Sequence, residues 1–265
     1  MYAAISHLIN PYYALSGFFV GFLVGLTGVG GGSLMTPILV LMFRFHPATA
    51  VGTDLLYAAI TKSSGTLVHG LRKNIDWRIV SRLALGSVPA TAISIGSLAL
   101  YGKKDATTSA LISNVLGGAL MLTALALIYR SRILAYCQQH MPALSERDIR
   151  RLTILMGALL GVMVSVSSVG AGAIGVTVLL ILYPAIPTAR LVGSDIAHAV
   201  PLTLIAGIGH WFLGDINMPL LLSLLAGSIP GIMLGSQMIL RIPERLLRQI
   251  MAVTLILVAG RLLGV

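Results

Sequence analysis

Two glycine-rich breaks carry the chemistry that these residue types allow. Thr27-Gly28-Val29-Gly30-Gly31-Gly32-Ser33 interrupts an otherwise apolar stretch, and Ser167-Ser168-Val169-Gly170-Ala171-Gly172 interrupts a second. A break between two helical segments frees the first N–H groups of the segment that follows, here from about Ser33 and Ala173. Those donors sit at the positive end of the helix dipole and suit an anion. Glycine lets backbone and ligand approach closely, and the hydroxyls of Thr27, Ser33, Ser167 and Ser168 add donors. Close packing of helices at small residues is the structural alternative. A glycine cluster repeated at a helix break favours a ligand site over packing alone. No strand precedes the cluster and no Gly-Lys-Ser/Thr follows it, which excludes a dinucleotide or phosphate loop.

A second duplicated motif is acidic. Gly52-Thr53-Asp54 recurs as Gly193-Ser194-Asp195. Counted from Pro47 and Pro187, each Asp lies about 10–12 Å into its helix at 1.5 Å per residue. A carboxylate inside a membrane is expensive, so each should face a cavity or a cation. Lys62 follows Asp54 by just over two turns, and His198 follows Asp195 by three residues on the same face. These four groups could relay protons or couple a cation, and Asp54 with Lys62 could equally form a buried structural pair. The small hydroxyls of Thr53 and Ser194 join the candidate binding set. His69 and His210, at equivalent helix ends, read as hydrogen-bonding residues, with a proton relay as the alternative role. Gly86-Ser87-Val88-Pro89 and Gly227-Ser228-Ile229-Pro230 read as kinks or packing points in preference to a lining of the pathway, the other reading they allow. No Cys/His cluster has metal-ligand spacing, no nucleophile stands beside a plausible base, and no cofactor is implied.

The elements that hold these residues must lie in a bilayer. Of 265 residues, 57% are hydrophobic and 10% charged, against roughly 45–50% and about 25% in soluble domains. Mean hydropathy is +0.94. Whole runs are apolar with no alternation, so the class is all-α and polytopic, not a β-barrel. One cysteine excludes a disulfide scaffold. The net charge of +10 belongs to loops facing anionic lipid, with no nucleic-acid partner implied. Met1 to Asn10 holds no Lys or Arg, so a cleaved signal is not expected.

The acidic motif, His69/His210 and the Gly-Ser-x-Pro motif all recur 141 residues apart, and Gly17/Gly157, Gly21/Gly161, the glycine breaks and Pro47/Pro187 recur 140 apart. This predicts a duplication: a first transmembrane repeat over 1–130, a cytoplasmic linker over 131–151 and a second repeat over 152–265. Helical segments are expected at 13–28, 32–45, 47–69, 76–101 and 107–129, then at 152–168, 172–184, 187–211, 217–240 and 244–263. The first two of each set fall short of the ~20 residues a full span needs. They read as half-membrane helices whose hairpin tip reaches mid-bilayer. Arg72, Lys73, Arg78 and Arg82, the linker arginines Arg130, Arg132, Arg147, Arg150 and Arg151, and Arg241, Arg245 and Arg248 fall on one side, which would be cytoplasmic. Gly214-Asp215-Ile216-Asn217, the counterpart of the basic loop, has no Lys or Arg. The two repeats are therefore expected to be inverted, with both termini extracytoplasmic.

Gly25-Leu-Thr-Gly28-Val-Gly-Gly-Gly32-Ser, His46-Pro-x-x-Ala-Val-Gly-Thr53 and Arg72-Lys-Asn-Ile-Asp-Trp77 together resemble the TauE/SafE sulfite exporter family, also called the TSUP permeases. The resemblance runs through both repeats. It implies a permease of the cell (inner) membrane moving sulfite, an organosulfonate or another small anion, with Gly28 to Ser33 and Ser167 to Gly172 as hairpin tips. The family pattern commonly has Ser where this chain has Asp54 and Asp195, which points to proton coupling or to a partner such as Lys62. The expected function is a secondary transporter, an exporter of a small anion working by alternating access. Its partners are that anion and the lipid bilayer, and a homo-oligomer is left open. A passive anion channel is the alternative, and an intramembrane enzyme lacks its nucleophile and base.

Overall fold

The computed structural model describes residues 9–27, 32–101, 106–140, 144–238 and 244–264; side chains are described for most of these. Ten helices and no strand occur among them. In chain order they are α1 (Pro11–Thr27), α2 (Gly32–Leu41), α3 (Pro47–Leu71), α4 (Trp77–Tyr101), α5 (Ala106–His140), α6 (Glu146–Ser167), α7 (Ala173–Leu182), α8 (Thr188–Phe212), α9 (Met218–Met238) and α10 (Glu244–Leu263). The protein is an all-α polytopic membrane protein. Trp77–Leu100, Ala110–His140, Glu146–Ser167 and Thr188–Phe212 are each long and apolar enough to cross a membrane.

Two expected bounds move. Helix α5 continues to His140 instead of ending near residue 129, because the polar stretch after Tyr129 holds good helix formers and no Gly or Pro. Helix α6 starts at Glu146, capped by Ser145, whose Oγ accepts from the Asp148 N–H at 3.2 Å. Its 22 residues span about 33 Å, enough to cross, so it is not a half-helix. The expectation measured only its apolar part and left out the charged first turns. Helix α7 is short, with 10 residues or about 15 Å.

The packing repeats itself between the two parts of the chain. A Cβ at Gly17 or Gly21 of α1 would meet the backbone of Leu224 or Ser228 on α9, and one at Gly157 or Gly161 of α6 would meet Leu83 or Ser87 on α4. Conversely, Gly227 abuts Ala14 and Phe18, and Gly86 abuts Ile154 and Ala158. Residue numbers rise together along both pairs, so α1 runs parallel to α9 and α6 parallel to α4. Glycine is needed here because helix backbones touch, and dispersion across close-packed small residues is what associates helices in lipid. Helices α3 and α8 behave differently. Gly65 lies against Ile196 and Gly207 against Leu56, so these two helices run antiparallel.

Candidate functional site

The antiparallel pair α3/α8 sets each acidic motif against the end of the other helix and the loop that follows it, Gly52 beside His210 and Asp215 and Gly193 beside His69 and Asn74, and each motif divides its work among its three residues. At Gly52 a Cβ would press on the Asp215 carbonyl oxygen at 2.5 Å, and at Gly193 it would strike that of Asn74. The next residue clasps the same loop. Thr53 Oγ1 accepts from the Asn217 N–H at 3.1 Å, and Ser194 Oγ accepts from the Asp76 N–H at 2.8 Å. Ser194 Oγ also donates to the Arg190 carbonyl at 2.7 Å. Thr53 and Ser194, expected as ligand donors, are therefore tied to a loop from the other half of the chain. The third residue turns inward, and both Asp54 and Asp195 are buried.

Asp54 Oδ2 accepts from Thr36 Oγ1 on α2 at 2.5 Å. Ser168 Oγ lies beside the same carboxylate, yet neither it nor Asp54 Oδ1 has a hydrogen-bond partner. Asp195 faces the start of α7. The Gly172 N–H is directed at its carboxylate, and a Cβ on Gly175 would collide with its Oδ1. Lys62 is 8% exposed and within electrostatic reach of both acids. Among the described residues no carboxylate comes within ion-pair distance of its ammonium. Asp54 with Lys62 is thus not a direct salt bridge.

His198 does not pair with Asp195. Its Nε2 lies 2.8 Å from Ser87 Oγ on α4, and its Nδ1 is buried without a partner. One repeat earlier, Tyr57 holds the position of His198 and faces Ser228 on α9, the counterpart of Ser87. The sequence pattern does not single out Thr36, Tyr57, Ser87 and Ser228 as site residues. For the two serines the duplicated Gly-Ser-x-Pro is the available signal, and its simplest reading is packing. That reading holds for the glycines, while the serines point inward. His210 is a hydrogen-bonding residue: its Nε2 sits 2.9 Å from the Ser165 carbonyl oxygen and its Nδ1 3.5 Å from Asp215 Oδ2.

The second glycine break closes α6 tightly and starts α7 without a cap from its own N-cap residue. Ser168 closes α6 in the left-handed region at φ 58°, with its N–H donating to the Val164 carbonyl at 2.8 Å. Ser167 Oγ donates to the Met163 carbonyl at 2.7 Å and accepts from the Val169 N–H at 3.2 Å, so that hydroxyl is part of the cap. Gly170 and Gly172 take φ of 121° and 113°, where side chains are strained. Helix α7 then begins with no side-chain cap. Its first N–H groups, from Ala173 to Gly175, have no intrahelical acceptor. The first break lies largely outside the description: Gly28, Gly30 and Gly31 fall outside the described residues, and Thr27, Gly32 and Ser33 lie in helices α1 and α2 without described side chains.

One end of the bundle is tied by charge. Arg82 pairs with Glu146 and donates to Tyr183 Oη at 3.2 Å, and Arg190 pairs with Asp76 at 3.2 Å. This is the end that carries Arg72, Lys73 and Arg78.

Residues 13–262 match the family described as sulfite exporter TauE/SafE. The chain belongs to that family. It is 39% identical over 250 residues to the probable membrane transporter protein YjnA of Bacillus subtilis, covering 93% of this chain and 96% of the relative. The probable membrane transporter protein YdhB of the same organism is 25% identical over 244 residues, 89% of this chain and 93% of the relative. A probable membrane transporter protein of Methanocaldococcus jannaschii is 27% identical over 207 residues, 76% and 72% of the two chains. No solved structure matches. This TauE/SafE member is a multi-pass membrane transporter.

Proposed function

We propose that this transporter moves a small anion, sulfite or an organosulfonate, outward by alternating access. The observation that carries the reading is Lys62: a buried ammonium with no carboxylate in ion-pair contact, within electrostatic reach of Asp195, whose carboxylate meets the start of α7. A buried charge without a direct partner is unfavourable, and a mobile counter-charge in contact relieves it. An oxyanion between Lys62 and the α7 start would take charge-assisted hydrogen bonds from the ammonium and from backbone N–H groups. Ser168 Oγ and His198 Nδ1, both orphaned, stand ready as further partners. The Gly28 to Ser33 tip, the counterpart of this break in the sequence duplication, joins the proposed site. The site as proposed draws on Lys62, Ser168, Gly170, Gly172 and His198, with Asp54 and Asp195 coupling the movement to protons.

Alternating access needs two halves of opposite orientation. The antiparallel α3/α8 pair and the parallel α1/α9 and α4/α6 pairs support inverted repeats over 1–130 and 152–265, joined by 131–151. We place the charged end in the cytoplasm, both termini outside and the protein in the inner membrane, on the positive-inside rule.

Flux into or out of proteoliposomes loaded with sulfite, sulfoacetate or methanesulfonate tests the reading. Flux above empty vesicles, accelerated by a pH gradient, is expected. Absence of flux for all three anions overturns the substrate class. Flux indifferent to the gradient, and unchanged in Asp54→Asn with Asp195→Asn, removes the proton coupling and leaves a passive channel.

A further inference from the structure

The two acids differ in surroundings, and the difference assigns them different jobs. Asp54 is held by Thr36, a turn inside α2. Asp195 instead lies on the first turn of α7, against Gly172 and Gly175. The position of α2 equivalent to Gly175 is Met35, a buried side chain, so nothing similar is open to Asp54. Gly175 is needed because its missing Cβ is where Asp195 Oδ1 sits. That oxygen has no hydrogen-bond partner even so.

Resting on the small-anion reading above, we propose that the Asp195 carboxylate is a tethered competitor for the transported anion, occupying the α7 start until protonation releases it. Two negative groups cannot share one helix start in a desolvated site, since their repulsion at low dielectric is large. When the anion arrives with a proton from solvent, the Asp195 carboxylate becomes a neutral carboxylic acid. It then gives up its claim on the backbone donors, and the anion takes them with Lys62 as counter-charge. No bond other than the O–H forms. The empty site is thereby occupied by an internal anion, which prevents the uncapped donors and Lys62 from facing lipid-depth surroundings alone. Other titratable groups near Asp195 are few. Lys62 reaches it from α3, His198 lies one turn on along α8, and His69 of α3 abuts Gly193. Asp76 and Arg190 pair with each other at the charged end. Helix α7 contributes no ionisable side chain.

The test uses methanesulfonate, a monoanion whose charge does not change between pH 5 and 9, titrated into the purified full-length protein in detergent. Wild type is expected to bind progressively more weakly as pH rises, by about tenfold per pH unit once Asp195 is ionised, and to take up about one proton per anion in weak buffer. Asp195→Asn is expected to bind with no such slope, to take up no proton, and to exceed wild type at pH 8. Asp54→Asn should keep the slope and the proton uptake. Binding that is pH-independent in wild type, or a slope and proton uptake that survive in Asp195→Asn, overturns the competitor while leaving the anion site standing. The proton measurement on wild type stands even if the variant does not fold. No binding of methanesulfonate or sulfite by wild type at any pH overturns the anion site itself, and the competitor with it.

Discussion

Replacing Lys62 by Met tests the electrostatic core of the site most directly. The thioether fills a similar volume with no charge, so packing around α3 is retained. Two effects follow, with opposite dependence on the acids. An anion about 4 Å from the ammonium at an effective dielectric near 20 gains about 4 kcal/mol, which corresponds to roughly a thousandfold in affinity. The acids offset part of this because each also sees Lys62, so a loss on the order of 30- to 300-fold in methanesulfonate affinity is expected, about 2–3.4 kcal/mol. Stability should fall as well. Asp54 and Asp195 lose their common counter-charge while buried, and an uncompensated buried charge costs roughly 3–5 kcal/mol. Adding Asp54→Asn and Asp195→Asn to Lys62→Met should recover thermal stability, and at low pH, where Asp195 no longer competes, it should leave anion affinity as weak as in Lys62→Met. The assay is isothermal titration beside thermal unfolding in the same detergent, at low and neutral pH. If Lys62→Met binds the anion as wild type does, the ammonium is not its counter-charge and the placement of the site is wrong. If the triple variant regains wild-type affinity at low pH, the carboxylates alone set binding and the reasoning fails in the other direction.

The remaining predictions concern the scaffold around that site. Ser194→Ala and Thr53→Val each strand a loop N–H, so each should lower stability by about 1–3 kcal/mol while anion affinity stays within a factor of about two, as expected of a clasp; a large affinity loss with normal melting would return these hydroxyls to the ligand shell. Gly227→Val should disrupt the α1/α9 contact and destabilise by about 1–3 kcal/mol or more, whereas Gly118→Ala, where a Cβ meets nothing within 4 Å, should stabilise by up to about 1 kcal/mol; both are read by thermal melting, and equal effects would contradict the packing. Single cysteines in place of Arg72 or Arg147, in a Cys137→Ser background, should resist a membrane-impermeant thiol reagent in intact cells, while a tag ahead of Met1 should be accessible. The reverse pattern would invert the orientation.

The membrane class, the duplication and the second glycine break were legible in the sequence because each is a local or periodic property. Apolar runs report their solvent, and motifs recurring 140 or 141 residues apart report a repeated unit whatever it packs against. The same cues misjudged α5 and α6, since hydropathy marks where a helix meets lipid and not where its hydrogen-bonding ends. What the tertiary structure decided is which repeated residue meets which. Thr53 and Ser194 carry hydroxyls in a motif beside an acid, and only the loop arriving from the other half of the chain turns them from ligand candidates into clasps. Ser87 reaches His198, and Asp195 reaches Gly172 and Gly175, across separations that no spacing rule covers. A sequence fixes each helix's own faces through its 3.6-residue period. The partner of a face is set by which backbones can approach, and here that depends on small residues on two helices at once.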